Sequence, residues 1–418
     1  ILNDNNLTTI TNAEFSVMTQ LMTLQLRQNN ISSIALDAFD NTILQHLDVR
    51  SNPIKTVPFF AGIDSTLKYL YMQDCQISNS TWDNIVHYSR LVTLELEDNQ
   101  ITSIPNVTKS SQTLYKLNLK SNNIEVLDAS KLDGFSSIGY VRLDSNGMKQ
   151  FNGVPKWPKV WLIHLKNNLL NHFPNISYWP RLTYISLSNN KMQSSANNSS
   201  MTFLSFLRSI GPLITYLDIM GNNIFGNIPA DTLTHATGIR NLLMHNNEIT
   251  SFDMSNIKYM PQLVALSISS NKLTMIGNAY AHCRGAACTS LSIEIQDNQI
   301  PCDTNMCWAK MNTAITVERD QCSGKIWKDV SLDDLLCPQR EQIMKLTEKQ
   351  NNTAKFHQKY EFLDQMLDYK KTELGEMSLM NCSGTCLKTD DCHYFKYGNT
   401  TKDFSFSEIK DCTIWTHL

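Results

Sequence analysis

Two stretches decide how this chain folds: Leu21-Met22-Thr23-Leu24-Gln25-Leu26-Arg27-Gln28-Asn29-Asn30-Ile31 and, further on, Leu91-Val92-Thr93-Leu94-Glu95-Leu96-Glu97-Asp98-Asn99-Gln100-Ile101. They superimpose position by position. Alternating apolar residues such as Leu24 and Leu26 specify a short strand with one face inward, and the next apolar position, Ile31, returns the chain to the interior. The asparagine has its own reason. A buried amide both donates to and accepts from the backbone of the turns it joins.

Working outward, the asparagine position recurs at Asn5, Asn29, Asn52, Cys75, Asn99, Asn122, Asn146, Asn168, Asn190, Asn222, Asn247, Asn271 and Asn298. The steps between them are 24, 23, 23, 24, 23, 24, 22, 22, 32, 25, 24 and 27 residues. A period of this length means a solenoid, in which each coil buries its apolar section only against its neighbours. The array resembles the leucine-rich-repeat family over about the first 300 residues. That resemblance implies an α/β-type horseshoe with a parallel concave sheet. Cys75 takes the inward position of its copy and reads as a structural, free, buried thiol. The 32-residue step holds an insertion at about 194–211. There Ser199 or Ser200, followed by Met201, Phe203, Leu204, Phe206, Leu207 and Ile210 and ended by Gly211, specifies a capped amphipathic helix on the convex or flank side.

The residues four and six places before each asparagine point out of the sheet, so successive coils lay them in columns on the concave face. Tyrosine is concentrated there: Tyr69, Tyr140, Tyr184 and Tyr216 six places before, Tyr71 four places before. Tyr115 and Trp161 lie one column further out. Aromatic rings with a polar tip suit protein interfaces and also stack on sugars, while tyrosine simply suits exposed strands as well. These seven residues are the candidate ligand-binding set. His164 and His245 fall at outward positions and read as solvent-facing.

A net charge of −3 with only 18% charged residues offers no basic field for nucleic acid or an anionic membrane. The most apolar window, Phe203 to Met220, is interrupted by Arg208, Gly211, Pro212 and Asp218, so no membrane span is expected. No nucleophile with its base, metal cluster, carboxylate pair or phosphate loop has recognisable spacing. The chain is therefore expected to be no enzyme and to use no cofactor and no metal.

Apart from Cys75, ten cysteines cluster at 283, 288, 302, 307, 322, 337, 382, 386, 392 and 412, a usage typical of an oxidising, extracellular setting. Sequons at Asn6, Asn30, Asn79, Asn106, Asn175, Asn197, Asn198, Asn351, Asn381 and Asn399 are glycosylation candidates that support secretion weakly. Cys283 and Cys288 bound a six-residue segment and are expected to staple it. Cys302, Cys307, Cys322 and Cys337, in residues 301–338, look like the disulfide cap that closes extracellular leucine-rich arrays. That resemblance implies the pairs Cys302–Cys322 and Cys307–Cys337; the rival, a four-cysteine zinc site, would be expected to show tight Cys-x-x-Cys knuckles. Ile1 falls inside a strand of the first copy. Either a cap is missing before it or another molecule covers that coil.

Residues 339–380 have helix composition, with Phe356, Tyr360, Leu363, Leu367 and Leu374 on one stripe. The stripe fits a helix packed on its own cap or tail, or an intermolecular coiled coil. Residues 381–418 resemble the core of PAN/apple domains, which implies Cys382–Cys412 and Cys386–Cys392 in a small disulfide-rich α+β module. A stapled tail with no binding role is the other reading. The function expected is extracellular recognition or adhesion, with a protein or glycan as partner. The alternative is a structural subunit of a matrix or filament that self-associates end to end.

Overall fold

The computed structural model describes residues 1–337 apart from 79–83, 85–86, 105–111, 133, 195–201, 280–281, 283–290, 312–314, 320 and 323. Cys283–Cys288, the segments 339–380 and 381–418 with their cysteine pairs, and the sequons at Asn79, Asn106, Asn197, Asn198, Asn351, Asn381 and Asn399 lie outside the described residues. The chain forms two compact units, residues 1–226 with 232–248 and residues 227–231 with 249 onward.

In the first unit, ten parallel strands of three residues follow one another: β1 Thr23–Gln25, β2 His46–Asp48, β3 Tyr69–Tyr71, β4 Thr93–Glu95, β5 Lys116–Asn118, β6 Tyr140–Arg142, β7 Leu162–His164, β8 Tyr184–Ser186, β9 Tyr216–Asp218 and β10 Asn241–Leu243. Each pairs with the next in strict register, so that Leu24 stands beside Leu47, Leu47 beside Leu70 and Leu70 beside Leu94. These central strand residues and the apolar residue two places on (Leu26, Val49, Met72, Leu96) are buried in every coil, with at most 3% exposure. Behind the strands, aromatic stacks continue from coil to coil. Phe15 packs on Phe39 and Phe39 on Phe60 at 5.8 and 4.8 Å between ring centroids. Trp157 stacks on Trp179 at 6.2 Å, and both indole N–H groups donate to buried carbonyls, of Leu132 and Pro155.

The asparagines form the expected ladder. Asn122 donates to the carbonyls of Leu96 (2.9 Å) and Leu119 (3.1 Å) and accepts from Ile101 N–H (2.9 Å), so one amide closes its own turn and ties it to the coil before. The same three bonds recur at Asn52, Asn168, Asn190, Asn222 and Asn247. Each leaves fewer buried backbone groups unpaired, which otherwise cost about 1–3 kcal/mol apiece. Asn5 is the exception. It is exposed and donates to the carbonyl of Asn3. Nor is Ile1 part of a strand, although Leu2 and Asp4 N–H donate to the carbonyls of Gln25 and Arg27.

At Cys75 the thiol reproduces half of the asparagine's work. Sγ donates to the carbonyl of Val49 at 3.3 Å, while Ile54 N–H, which an asparagine oxygen would have accepted, turns to the carbonyl of Asn52 at 2.8 Å. Burial pushes the thiol up to about 12. The residue just before each ladder position takes a left-handed backbone, φ +52° to +61° from Gln28 through Ser51, Asp74, Asp98, Ser121, Ser145, Asn167, Asn189 and Gly221 to Asn246. Short polar side chains and glycine tolerate that region best.

In the insertion, α1 spans Phe203–Arg208 and is capped by Thr202, whose hydroxyl accepts from Ser205 N–H, rather than by a serine further upstream. Among a run of serines and threonines that all cap well, the register is set by packing. Phe203, Phe206 and Leu207 are the buried side chains, and Phe173 stacks on both phenylalanines.

The second unit carries the parallel strands β11 Ala265–Ser267, β12 Leu291–Glu294 and β13 Ile315–Glu318. Asn298 makes the ladder bonds to Ile268 and Ile295 carbonyls and to Leu273 N–H. Beyond it, Cys302 is joined to Cys322 and Cys307 to Cys337, with Cα–Cα distances of 5.5 and 5.7 Å, around the short helix α2 Cys307–Met311. The architecture is a parallel-strand, leucine-rich solenoid with few helices.

Candidate ligand-binding face

Register places the candidate residues. In the column six places before the asparagines, Lys116 stands beside Tyr140, Tyr140 beside Leu162, Leu162 beside Tyr184 and Tyr184 beside Tyr216. Tyr184 and Tyr216 stack with ring centroids 4.3 Å apart and planes 6° from parallel. His164 fills the step between them and Tyr140, 4.8 Å from Tyr184 and 6.4 Å from Tyr140. It is therefore packed among rings instead of pointing freely into solvent, with 19% of its side chain exposed. Outward alternation was read correctly there; the neighbours' rings, brought over it by the parallel register, cover it.

Trp161 meets Tyr140 edge-on at 6.2 Å, and its Nε1–H donates to the hydroxyl of Tyr115 at 2.7 Å. That bond crosses the intervening coil at Gly139. A Cβ at Gly139 would lie 2.3 Å from Cε2 of Tyr115, so the glycine is what lets the ring lie across. Tyr115 (45%) and Trp161 (37%) are the most exposed members of the set. Tyr69 and Tyr71 form a separate, earlier group: His46 stacks on Tyr69 at 4.3 Å, and the Arg50 guanidinium lies 5.5 Å from the Tyr71 ring. Five of the seven candidates thus come together as one strip, and two stand apart.

A third column, two places before the asparagines, completes the electrostatics; the sequence shows mixed charge there, with Arg27 and Arg50 early and Glu97 later, but not which charges pair. Arg50 pairs with Asp48 (2.6 Å), Lys116 with Glu95 (2.6 Å), Lys120 with Glu97 and Arg142 with Asp144 (3.0 Å). Asn118 donates to both Glu95 and Glu97, and Ser186 Oγ to Asp218 at 2.8 Å. Asp48, Glu95, Asp144 and Asp218 are buried. Removing a partner would strand a buried charge, which is strongly destabilising. Lys116 also lies over the Tyr140 ring at 5.0 Å, joining the charged and aromatic halves.

Titration follows the packing. Burial, then the Tyr216 phenol and Asp218, push the Tyr184 phenol well up; burial and Asp218 do the same to Tyr216, and burial and Glu95 to Tyr71. These phenols stay neutral and keep their O–H donors. Burial raises Glu97, but hydrogen bonds from Lys120 and Asn118 outweigh it and hold the carboxyl below its ordinary range. Burial lowers His164, opposed by Asp144 and reinforced by Arg142 and Lys166. The face therefore offers fixed rings and neutral donors over ion pairs that satisfy one another. Of the sequons described, Asn6 and Asn30 are exposed, while the Asn175 side chain accepts from Ser177 N–H and Oγ. Among the described residues no three metal-ligating side chains gather, and no helix is long and apolar enough to cross a membrane.

Comparison with known proteins agrees with this geometry. A family model described as Leucine rich repeat matches residues 1–54 and 19–77. Lumican of Gallus gallus is 27% identical over 140 residues, which are 32% of this chain and 40% of that protein, so the match spans well under half the relative's length. A leucine-rich-repeat protein of Leptospira interrogans superposes with a TM-score of 0.62 at 18% identity, covering 75% of this chain and 76% of that one. A chain of the Toll–Spatzle complex of Drosophila gives 0.60 at 15% identity, over 80% of this chain and 51% of its own. Parallel coils, the asparagine ladder and these similarities make this a protein of leucine-rich-repeat fold.

Proposed function

We propose that the chain is an extracellular, non-catalytic recognition protein that binds a protein ligand through the strip from Tyr115 to Tyr216. The observation that carries the reading is the strip itself: Tyr115, Tyr140, Trp161, His164, Tyr184 and Tyr216 held against one another on the backing of strands β5 to β9, yet partly exposed. Prelocked aromatic side chains lose little entropy on binding, and buried tyrosine and tryptophan carry much of the energy of protein interfaces. Arg50, Lys116, Lys120 and Arg142 are already paired with carboxylates, which favours the rings as the anchoring groups. The disulfides fit an oxidising compartment, as does the similarity to lumican. A chain of similar fold occurs in a complex of two proteins, Toll with Spatzle.

A photo-crosslinking residue placed at Trp161, with a control on the opposite side at Glu125, tests this in extracellular fluid of the source tissue. Discrete protein adducts at 161, absent at 125 and lost when Tyr140, Tyr184 and Tyr216 are all changed to Ala, support the reading. Equal labelling at both positions, or adducts indifferent to the triple change, refute it. Adducts removed by glycosidase alone would assign the strip to a glycan instead.

A further inference from the structure

The Asp144 carboxylate is wholly buried, and its two oxygens differ. Oδ2 accepts from Arg142 Nε at 3.0 Å, whereas Oδ1 has no hydrogen-bond partner. A buried carboxylate oxygen without a donor is costly. Nδ1 of His164 lies 3.9 Å away, beyond hydrogen-bond reach but within a small ring movement of it. His164 meanwhile occupies the middle of the strip, between Tyr140 on β6 and Tyr184 on β8.

Charged groups from the coils of β6, β7 and β9 act on this imidazole. Asp144 and Asp218, from the coils of β6 and β9, favour the charged ring; Arg142 on β6 and Lys166 on its own coil oppose it, and burial opposes it most. The neutral ring is thus the resting form, filling the slot between the tyrosines. Adding a proton supplies a second N–H and an attraction to that unsatisfied oxygen, at a distance that needs to close by on the order of 1 Å to reach about 2.8 Å.

We propose that His164 is a proton-operated element of the recognition strip: the neutral imidazole packs against Tyr184 and Tyr140, and the imidazolium shifts onto Oδ1 of Asp144 and loosens that packing. The only reactant is a solvent proton. This rests on the reading of the strip as a binding surface and adds its regulation. A ligand anchored on the packed rings at neutral pH is released on acidification, because the ring at the centre of the surface has shifted and gained a positive charge.

The movement is testable without any ligand. In the whole protein labelled with carbon-13 on histidine and tyrosine rings, the His164 resonance should titrate below its ordinary 6.5, with the Tyr140 and Tyr184 rings shifting at the same midpoint. His164→Gln should abolish the tyrosine titration, and Asp144→Asn should lower the His164 midpoint further. Tyrosine rings that stay still while His164 titrates overturn the proposal, as does a tyrosine titration that persists in His164→Gln. Should Asp144→Asn not fold, the first two spectra still decide. Crosslinking at Trp161 is then repeated at pH 7.4 and 5.5. Ring movement without adducts at either pH refutes the binding surface and leaves the movement standing; adducts unchanged between the two refute the regulation alone.

Discussion

Replacing Gly139 by Ala separates the geometry of the strip from the stability of the coil. The added Cβ would sit 2.3 Å from Cε2 and 2.9 Å from Cδ2 and Cζ of Tyr115. Ordinary carbon contacts start near 3.5 Å, so the ring must retreat by on the order of 1 Å. Tyr115 is 45% exposed and can swing outward freely. Doing so breaks its 2.7 Å bond from Trp161 Nε1, a loss of about 0.5–1.5 kcal/mol at most for an exposed pair. Against this, Ala in place of Gly restricts the unfolded chain and stabilises by about 0.4–1 kcal/mol where the backbone is compatible. Gly139 has no left-handed φ, so it is compatible. The two effects nearly cancel, and urea unfolding should give wild-type stability within about 1 kcal/mol. The indole N–H resonance of Trp161 should nevertheless move and exchange faster. An unmoved indole resonance would show that Tyr115 does not depend on the missing side chain. A stability loss above about 3 kcal/mol would show a tightly packed backbone site instead.

Asn122→Leu leaves the carbonyls of Leu96 and Leu119 and the N–H of Ile101 without their partner, so denaturant unfolding should show a loss of about 3 kcal/mol or more. Cys75→Asn should instead be neutral or stabilising, since Ile54 N–H gains a side-chain acceptor; a loss as large as that of Asn122→Leu would contradict the ladder. With its thiol held up to about 12 by burial, Cys75 should resist iodoacetamide at pH 8 until the protein unfolds. Because folded His164 binds its proton less tightly than the unfolded chain does, its contribution to stability is complete above 6.5 and is lost as pH falls through the folded value. Unfolding measured between pH 7.5 and 5 should therefore show a decline that His164→Gln flattens.

The solenoid was legible because a step of two dozen residues, an inward Leu–Leu pair and an asparagine repeat together leave the backbone one arrangement. The tyrosine column was legible for the same reason: alternation along a three-residue strand assigns every side chain a face. What the sequence withheld depends on neighbours one or two coils away. Glu97 finds Lys120, and Trp161 reaches Tyr115 over Gly139, at separations of 23 and 46 residues that no local pattern encodes. The left-handed position escaped notice because Gln, Ser, Asp, Asn and Gly all serve there, each tolerable and none diagnostic. The helix cap slipped to Thr202 because several hydroxyls in a row were equally able to start the turn.

Strict register between β6 and β9 makes the strip a ruler. Successive rungs advance by one strand spacing, about 4.8 Å, and no side-chain rotation can alter that increment. Since each strand pairs only with its immediate neighbours, excising one whole repeat between Tyr140 and Tyr184 should leave a sound protein whose later rungs have moved by a single notch. A partner matched to the original gradations would then meet every remaining mark out of phase, so tuning along this axis can proceed only in whole steps.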